Sequence, residues 1–173
     1  ERTGQLANTI IVYVSDHGLA MGSHGLMGKQ NLYEHSLRVP LIISGPGVPR
    51  EICVRDEVYA HRLFATLAEL AGLPLPATVD APSLVPLWAE TAPARMEGSR
   101  HFAHYRDTQR MVRDERWKLI TYDLHDGRRE QLFDLLNDPH ERQDRSADAA
   151  VAEHRDRLSE ALNSWSVDGS TST

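Results

Sequence analysis

Thr9-Ile10-Ile11-Val12-Tyr13-Val14-Ser15 runs directly into Asp16-His17-Gly18, and the reading of this stretch decides the fold. The first seven residues are apolar or β-branched without alternation, which predicts a strand buried on both faces, as in a parallel sheet. A second run, Val39-Pro40-Leu41-Ile42-Ile43-Ser44, is closed by the turn formers Gly45-Pro46-Gly47 and predicts another such strand. Open α/β sheets bind ligands beyond the carboxyl ends of their strands, so Asp16 and His17 face the expected site, and Gly18 permits a sharp exit of the chain. A hard carboxylate and an imidazole side by side can hold a divalent cation with help from other ligands. Taken alone, Asp-His-Gly is as readily a turn after a strand. Two doubly buried parallel strands cannot form a stable sheet by themselves, and the sheet is expected to be completed by sequence outside this chain.

Working outward, the 16–29 segment is a Gly- and His-rich loop, followed by a short helical segment. Residues 61–71 place Leu63, Phe64, Leu67, Leu70 and Ala71 on one helical face, with Gly72 and Pro74 as the stop. The Pro- and Ala-rich stretch 73–96 reads as a surface connection with one short helix near 84–88. After it the period changes. Residues 101–105, 110–112, 117–122 and 131–135 read as short antiparallel strands, with turns at Asp114-Glu115 and Asp126-Gly127. A last helix over about 147–165 carries Val151, Leu158, Leu162 and Trp165 along one stripe, and the tail after Asp168 is expected to be disordered. No internal repeat is visible.

The 173 residues suffice for a domain with a real core, and 40% hydrophobic with 25% charged residues is ordinary for a globular protein. A net charge of −6, with acids and bases interspersed, argues against a nucleic-acid binder. No apolar run approaches the roughly 18 residues needed to span a bilayer. The single cysteine, Cys53, excludes an internal disulfide framework and a cysteine-rich zinc site, and it reads as a small buried residue. His24, His35, His101 and His104 read as surface or hydrogen-bonding residues rather than ligands. The chain opens Glu1-Arg2-Thr3-Gly4 without a methionine, so its start is not taken as a true amino terminus.

The wider string carries more. From Asn8 through Ser15-Asp16-His17-Gly18 the sequence continues to Gly22-Ser23-His24-Gly25-Leu26-Met27-Gly28-Lys29, then to Leu32-Tyr33-Glu34-His35-Ser36-Leu37-Arg38-Val39-Pro40. This closely resembles the sulfatase family of the alkaline-phosphatase-like superfamily, in which a strand ending Ser-Asp-His-Gly leads to a Gly-His-Gly-Leu loop, a lysine and a Tyr-Glu-x-Ser-x-Arg-Val-Pro segment. Phe64 to Gly72 is similar to the helix after the family's second strand. Trp117-Lys118-Leu119-Ile120, Leu132-Phe133-Asp134-Leu135 and Asn137-Asp138-Pro139-His140-Glu141 are similar to its carboxyl-terminal antiparallel subdomain.

The resemblance implies an α/β fold: part of an alkaline-phosphatase-like mixed or parallel sheet with helices, then a small antiparallel sheet and a carboxyl-terminal helix. It divides the chain into 1–95, the carboxyl-terminal part of the α/β core, 96–168, the small subdomain with its helix, and 169–173, a disordered tail. It gives Asp16 and His17 the role of ligands to one divalent cation, calcium in most of the family, although an imidazole would also suit manganese or zinc. It gives Lys29 a contact with the substrate's sulfate, where an ammonium adds positive potential. His24 sits near the same pocket without an assigned role, and Glu34 and Arg38 are expected in structural ion pairs.

The departures are as informative. The family's nucleophile is a formylglycine made in a Cys/Ser-x-Pro/Ala-x-Arg motif, and Cys53-Val54-Arg55-Asp56-Glu57 does not fit it. Leu19 stands where many relatives carry an acidic residue. The expectation is therefore a metal-dependent sulfuric ester hydrolase acting on a small sulfate ester, with nucleophile and remaining ligands in an upstream half, and with this chain inactive and weak or empty in metal binding by itself. Two alternatives stand beside it: a phosphonate or phosphate ester hydrolase of the same superfamily, and a non-catalytic carboxyl-terminal module. Compartment and oligomeric state are not legible.

Overall fold

The computed structural model describes residues 3–88 and 99–165. The tail 169–173, expected to be disordered, and part of the 73–96 connection lie outside the described residues. The chain forms two compact units, one of residues 1–16 and 40–97 and one of residues 17–39 and 98–173.

In the first unit the two apolar runs form β1 (Ile11–Val14) and β4 (Leu41–Ser44), the latter separated from β1 by the insertion described below. They pair with each other antiparallel, from Ile11 opposite Ser44 to Val14 opposite Leu41. This corrects the parallel reading of the two strands. A parallel return needs a crossover of a dozen residues or more, usually a helix, and the intervening segment holds only one four-residue helix, α1 (Glu34–Leu37). Composition reports how deeply a strand is meant to be buried, not which way it runs. Nor are both faces covered within this chain: Tyr13 is 64% and Ile42 60% exposed. Helix α2 (Arg62–Leu70) follows, and a 3-10 turn at Val85–Trp88 packs on it. The buried Thr66 hydroxyl donates to the Arg62 carbonyl and accepts from the Leu84 amide, while the Arg62 guanidinium donates to the carbonyls of Pro82 and Ser83. Cys53 is exposed, against the expectation of a small buried residue; its neighbours Glu51 and Ile52 are exposed too, so no packed element encloses it.

The second unit is built on a four-stranded antiparallel meander, β5 (His101–Tyr105), β6 (Gln109–Arg113), β7 (Trp117–Leu124) and β8 (Gly127–Asp134), in that spatial order. Alternation along these strands makes two faces. On one, Val112, Trp117, Leu119 and Leu132 meet Val151, Leu158, Ala161 and Leu162 of α3 (Ala152–Ser164) and the turn before it. On the other, Met111, Ile120 and Phe133 meet Leu32 and Tyr33. β7 is thus covered on both sides, which is why Trp117 through Thr121 are all buried. Each fully buried leucine here contributes about 1.5–3 kcal/mol. Asp148 caps the 3-10 turn Ala149–Val151, which leads into α3, by accepting from the Ala150 amide. Among the described residues no helix is long and apolar enough to cross a membrane.

At the end of β8 the Asp134 carboxylate accepts from Arg116 through both oxygens, at 3.0 and 2.6 Å, and from Asn137 at 2.9 Å. The hydrogen bonds from the Arg116 guanidinium hold the carboxyl down at about 2, from an ordinary 3.8. A depressed carboxyl adds stability that is complete above its unfolded value and is lost as pH falls through its folded one. Asp134→Asn should therefore lower the unfolding midpoint at neutral pH, and the gap to the parent should close as pH is taken towards 2. A gap that ignores pH would show that the charge on Asp134 is not what stabilises this turn.

Candidate functional site

Within the second unit, residues 17–39 form an insertion between β1 and β4 that lies on the meander. β2 (Ala20–Met21) and β3 (Met27–Gly28) pair antiparallel, Ala20 opposite Gly28 and Met21 opposite Met27, closing a small hairpin. Its turn uses three left-handed residues, Gly22, His24 and Gly25. Two of them are glycines, for which this backbone carries no Cβ penalty. Because β2 leaves from residue 19 and β3 returns to residue 29, the hairpin brings Lys29 back beside His17.

The result is a defined contact. The Lys29 ammonium lies 2.5 Å from His17 Nε2, and His17 Nδ1 lies 2.9 Å from the Gly18 carbonyl oxygen. An ammonium has donors only, so Nε2 accepts and Nδ1 carries the proton that goes to Gly18. A backbone carbonyl on one ring nitrogen fixes tautomer and ring orientation, the arrangement found behind metal-bound histidines. Lys29 is exposed and His17 half-buried.

Gly18 is itself held. Its amide donates to the Ser36 carbonyl of α1 at 2.9 Å, and the backbone passes so close that a Cβ at this position would run into the His35 carbonyl oxygen. The glycine after Asp-His thus serves close approach to α1 as well as a turn. Beyond Lys29, Asn31 and Tyr33 anchor the segment: the Asn31 side chain accepts from the Tyr33 amide, and the Tyr33 hydroxyl donates to Gln131 on β8 at 2.8 Å. His24 is exposed and stacks on Tyr33 with ring centroids 4.0 Å apart, and His35 lies 5.5 Å from His24. Burial, with the charges of His24 and Lys118, holds the His35 imidazole below its usual value, which favours the neutral ring.

Glu34 was expected in a structural ion pair, and it has two. Its carboxylate takes Arg113 at 2.7 Å and Lys118 at 2.9 Å. Burial pushes this carboxyl up, but the two cations outweigh it and hold it below its ordinary value. Lys118, fully buried, also lies 2.8 Å from Glu141 Oε1, a charge contact rather than an aligned hydrogen bond. Neither Lys118 nor Glu141 stood out in sequence as more than family likeness.

Asp16 closes the first unit and is exposed. Among the described residues no group of three or more His, Cys, Asp or Glu side chains could hold a metal ion. Asp16 and His17 offer a carboxylate and an imidazole, donor types that suit a divalent cation.

The family model described as N-sulphoglucosamine sulphohydrolase, C-terminal, matches residues 22–168. Arylsulfatase K of Homo sapiens is 34% identical over 146 residues, covering 79% of this chain and 27% of its own length. A choline-sulfatase of Rhizobium meliloti is 38% identical over 144 residues, with 80% and 27% covered. Among solved structures, a phosphonate monoester hydrolase from Silicibacter pomeroyi is 25% identical with a TM-score of 0.76, over 94% of this chain and 35% of that one. The chain spans about a quarter of the length of these curated relatives.

Proposed function

Because the chain belongs to the sulfatase family, as part of its carboxyl-terminal domain, we propose that the full-length parent hydrolyses sulfate esters and that this chain contributes Asp16, His17 and Lys29 to the anion pocket. The observation that carries the reading is the contact between Lys29 and a histidine whose other ring nitrogen is tied to a backbone carbonyl. Relatives named for an aryl sulfate and for choline sulfate support the ester class without choosing a substrate.

In this reading Asp16 and His17 Nε2 would help hold a divalent cation, calcium by family likeness, which when bound would supply positive charge against the sulfate oxygens; the single Nε2 lone pair would then serve the cation in place of the Lys29 ammonium and free that ammonium for the sulfate. The Gly18 carbonyl keeps the His17 ring in the tautomer that presents Nε2. The Lys29 ammonium binds a sulfate oxygen and offsets charge that develops as the ester bond breaks. The nucleophile, a formylglycine in this family, lies upstream in the proposed parent, as do the remaining metal ligands. Residues 1–95 would then be the last part of the α/β core, and the exposed apolar side chains of β1 and β4 are what further strands would cover.

A phosphonate ester hydrolase remains the second reading, favoured by the solved relative of that activity. Turnover of an aryl sulfate, an aryl phosphonate monoester and an aryl phosphate by the purified full-length parent decides between them. The sulfate is expected to be preferred; preference for the phosphonate would replace the reading. Asp16→Asn loses a formal charge toward the cation, so elemental analysis of the purified parent should show a lower metal content. Unchanged metal content would take Asp16 out of the set.

A further inference from the structure

We propose that Glu141 is a positioning residue for the His17–Lys29 site, acting from the loop after β8 through α1. Its catalytic consequence rests on the sulfate-ester reading; its structural one does not.

α1 has four residues, Glu34–Leu37, too few to stand as an isolated helix. What holds it comes from far along the chain. The Glu34 amide, at the helix start, donates to Glu141 Oε2 at 2.7 Å. The other Glu141 oxygen lies against Lys118, which also pairs with Glu34, and Arg113 takes the remaining Glu34 oxygen. Two carboxylates and two cations thus close a charge-balanced clamp around the first turn of α1. Buried charges in such a cluster are costly to leave unpaired, so the geometry is strongly specified.

Glu141 also has an unusual backbone. It is 2% exposed and sits at φ 56°, where residues with a Cβ are uncommon. The turn that sets this conformation is closed by the Glu141 amide on the Asp138 carbonyl and by the Gln143 amide on Asp138 Oδ2. A backbone held in a sparsely populated region persists when its surroundings over-determine it. Here it delivers one carboxylate to the amide end of α1.

From the clamp to the site there are two hydrogen bonds. The Ser36 carbonyl of α1 accepts from the Gly18 amide, and the Gly18 carbonyl accepts from His17 Nδ1. If α1 loses its anchor, Gly18 loses its partner, and the ring that presents Nε2 to Lys29 loses its fixed orientation.

The test compares Glu141→Ala with Glu141→Gln in the full-length parent, reading amide hydrogen exchange at Gly18 with Ile120 in β7 as the reference for global stability. The alanine variant should speed Gly18 exchange by about 10- to 100-fold, the range expected for loss of a hydrogen bond to a charged group, with a smaller change at Ile120. Glutamine keeps an acceptor for the Glu34 amide and should restore most of the protection. Turnover of an aryl sulfate should fall with alanine, mainly in kcat, and recover with glutamine. If the alanine variant does not fold, Glu141→Asp withdraws the carboxylate while keeping its charge and carries the same expectation. Gly18 and Ile120 accelerating together, an unchanged Gly18, or selective acceleration with unaltered turnover would each overturn the proposal. A parent that shows the Gly18 response but no sulfate-ester turnover supports the clamp and overturns the functional reading instead.

Discussion

Lys29→Ala in the full-length parent is expected to lower turnover of a sulfate ester by roughly two to three orders of magnitude, the usual cost of removing one preorganised charge contact from a site of developing negative charge. The expectation follows from where the ammonium sits. The β2–β3 hairpin returns Lys29 to within 2.5 Å of His17 Nε2, so its charge is held beside a proposed metal ligand rather than spread through solvent. The substitution leaves the His17 to Gly18 hydrogen bond in place, so the loss should appear as chemistry rather than as collapse of the loop. Lys29→Arg should not restore the rate, because a planar fork is not a compact point charge and needs a different approach. Steady-state kinetics on both variants check this, and near-normal turnover of the alanine variant would take Lys29 out of the pocket.

Lys118→Met is expected to cost about 3–5 kcal/mol of stability, the range for breaking a buried ion pair from one side. Lys118 is fully buried and contacts both Glu34 and Glu141. A methionine fills similar space and leaves two carboxylates facing each other with Arg113 on Glu34 alone. The pH dependence is the signature. Against the upward push of burial, Lys118 and Arg113 hold the Glu34 carboxyl below its ordinary value, so its contribution is full above that ordinary value and is lost as pH falls through the folded one. The gap between parent and variant should therefore narrow on acidification below about 4.5, read by chemical denaturation across pH. A gap that does not change with pH would mean that lost packing, not lost charge, dominates.

How much of this was legible depends on the range over which the physics acts. The strand before Asp16, a helix within 61–71, a turn next to Asp126-Gly127 and the Val151, Leu158 and Leu162 stripe are local patterns, and each has its counterpart in the structure, although Phe64 and Leu67 of the 61–71 stripe are exposed and that helix buries Ala65 and Thr66 instead. Direction is not local: β4 carries the same apolar signature whether it runs parallel or antiparallel to β1, and it runs antiparallel. The β2–β3 hairpin escaped because two residues per strand carry no period, although Gly22 and Gly25 marked its turn. The clamp escaped for a different reason. Glu34 is separated from Lys118 by 84 positions and from Glu141 by 107, and a single sequence does not say which charges meet at such distance. In Trp117-Lys118-Leu119-Ile120 the lysine reads as the polar position of an alternating strand, whereas β7 is covered on both faces and Lys118 is as buried as its neighbours. Family likeness points to the Asp16, His17 and Lys29 positions, and the contact between the last two is what the structure adds.

The most direct test of the account is a crystal structure of the full-length parent with its cation and a bound sulfate. It predicts a sulfate oxygen within roughly 2.7–3.2 Å of Lys29 Nζ, and Asp16 with His17 Nε2 on one cation at roughly 2.0–2.6 Å. Asp16 and His17 turned to different sides, or Lys29 directed away from the sulfate, would contradict it.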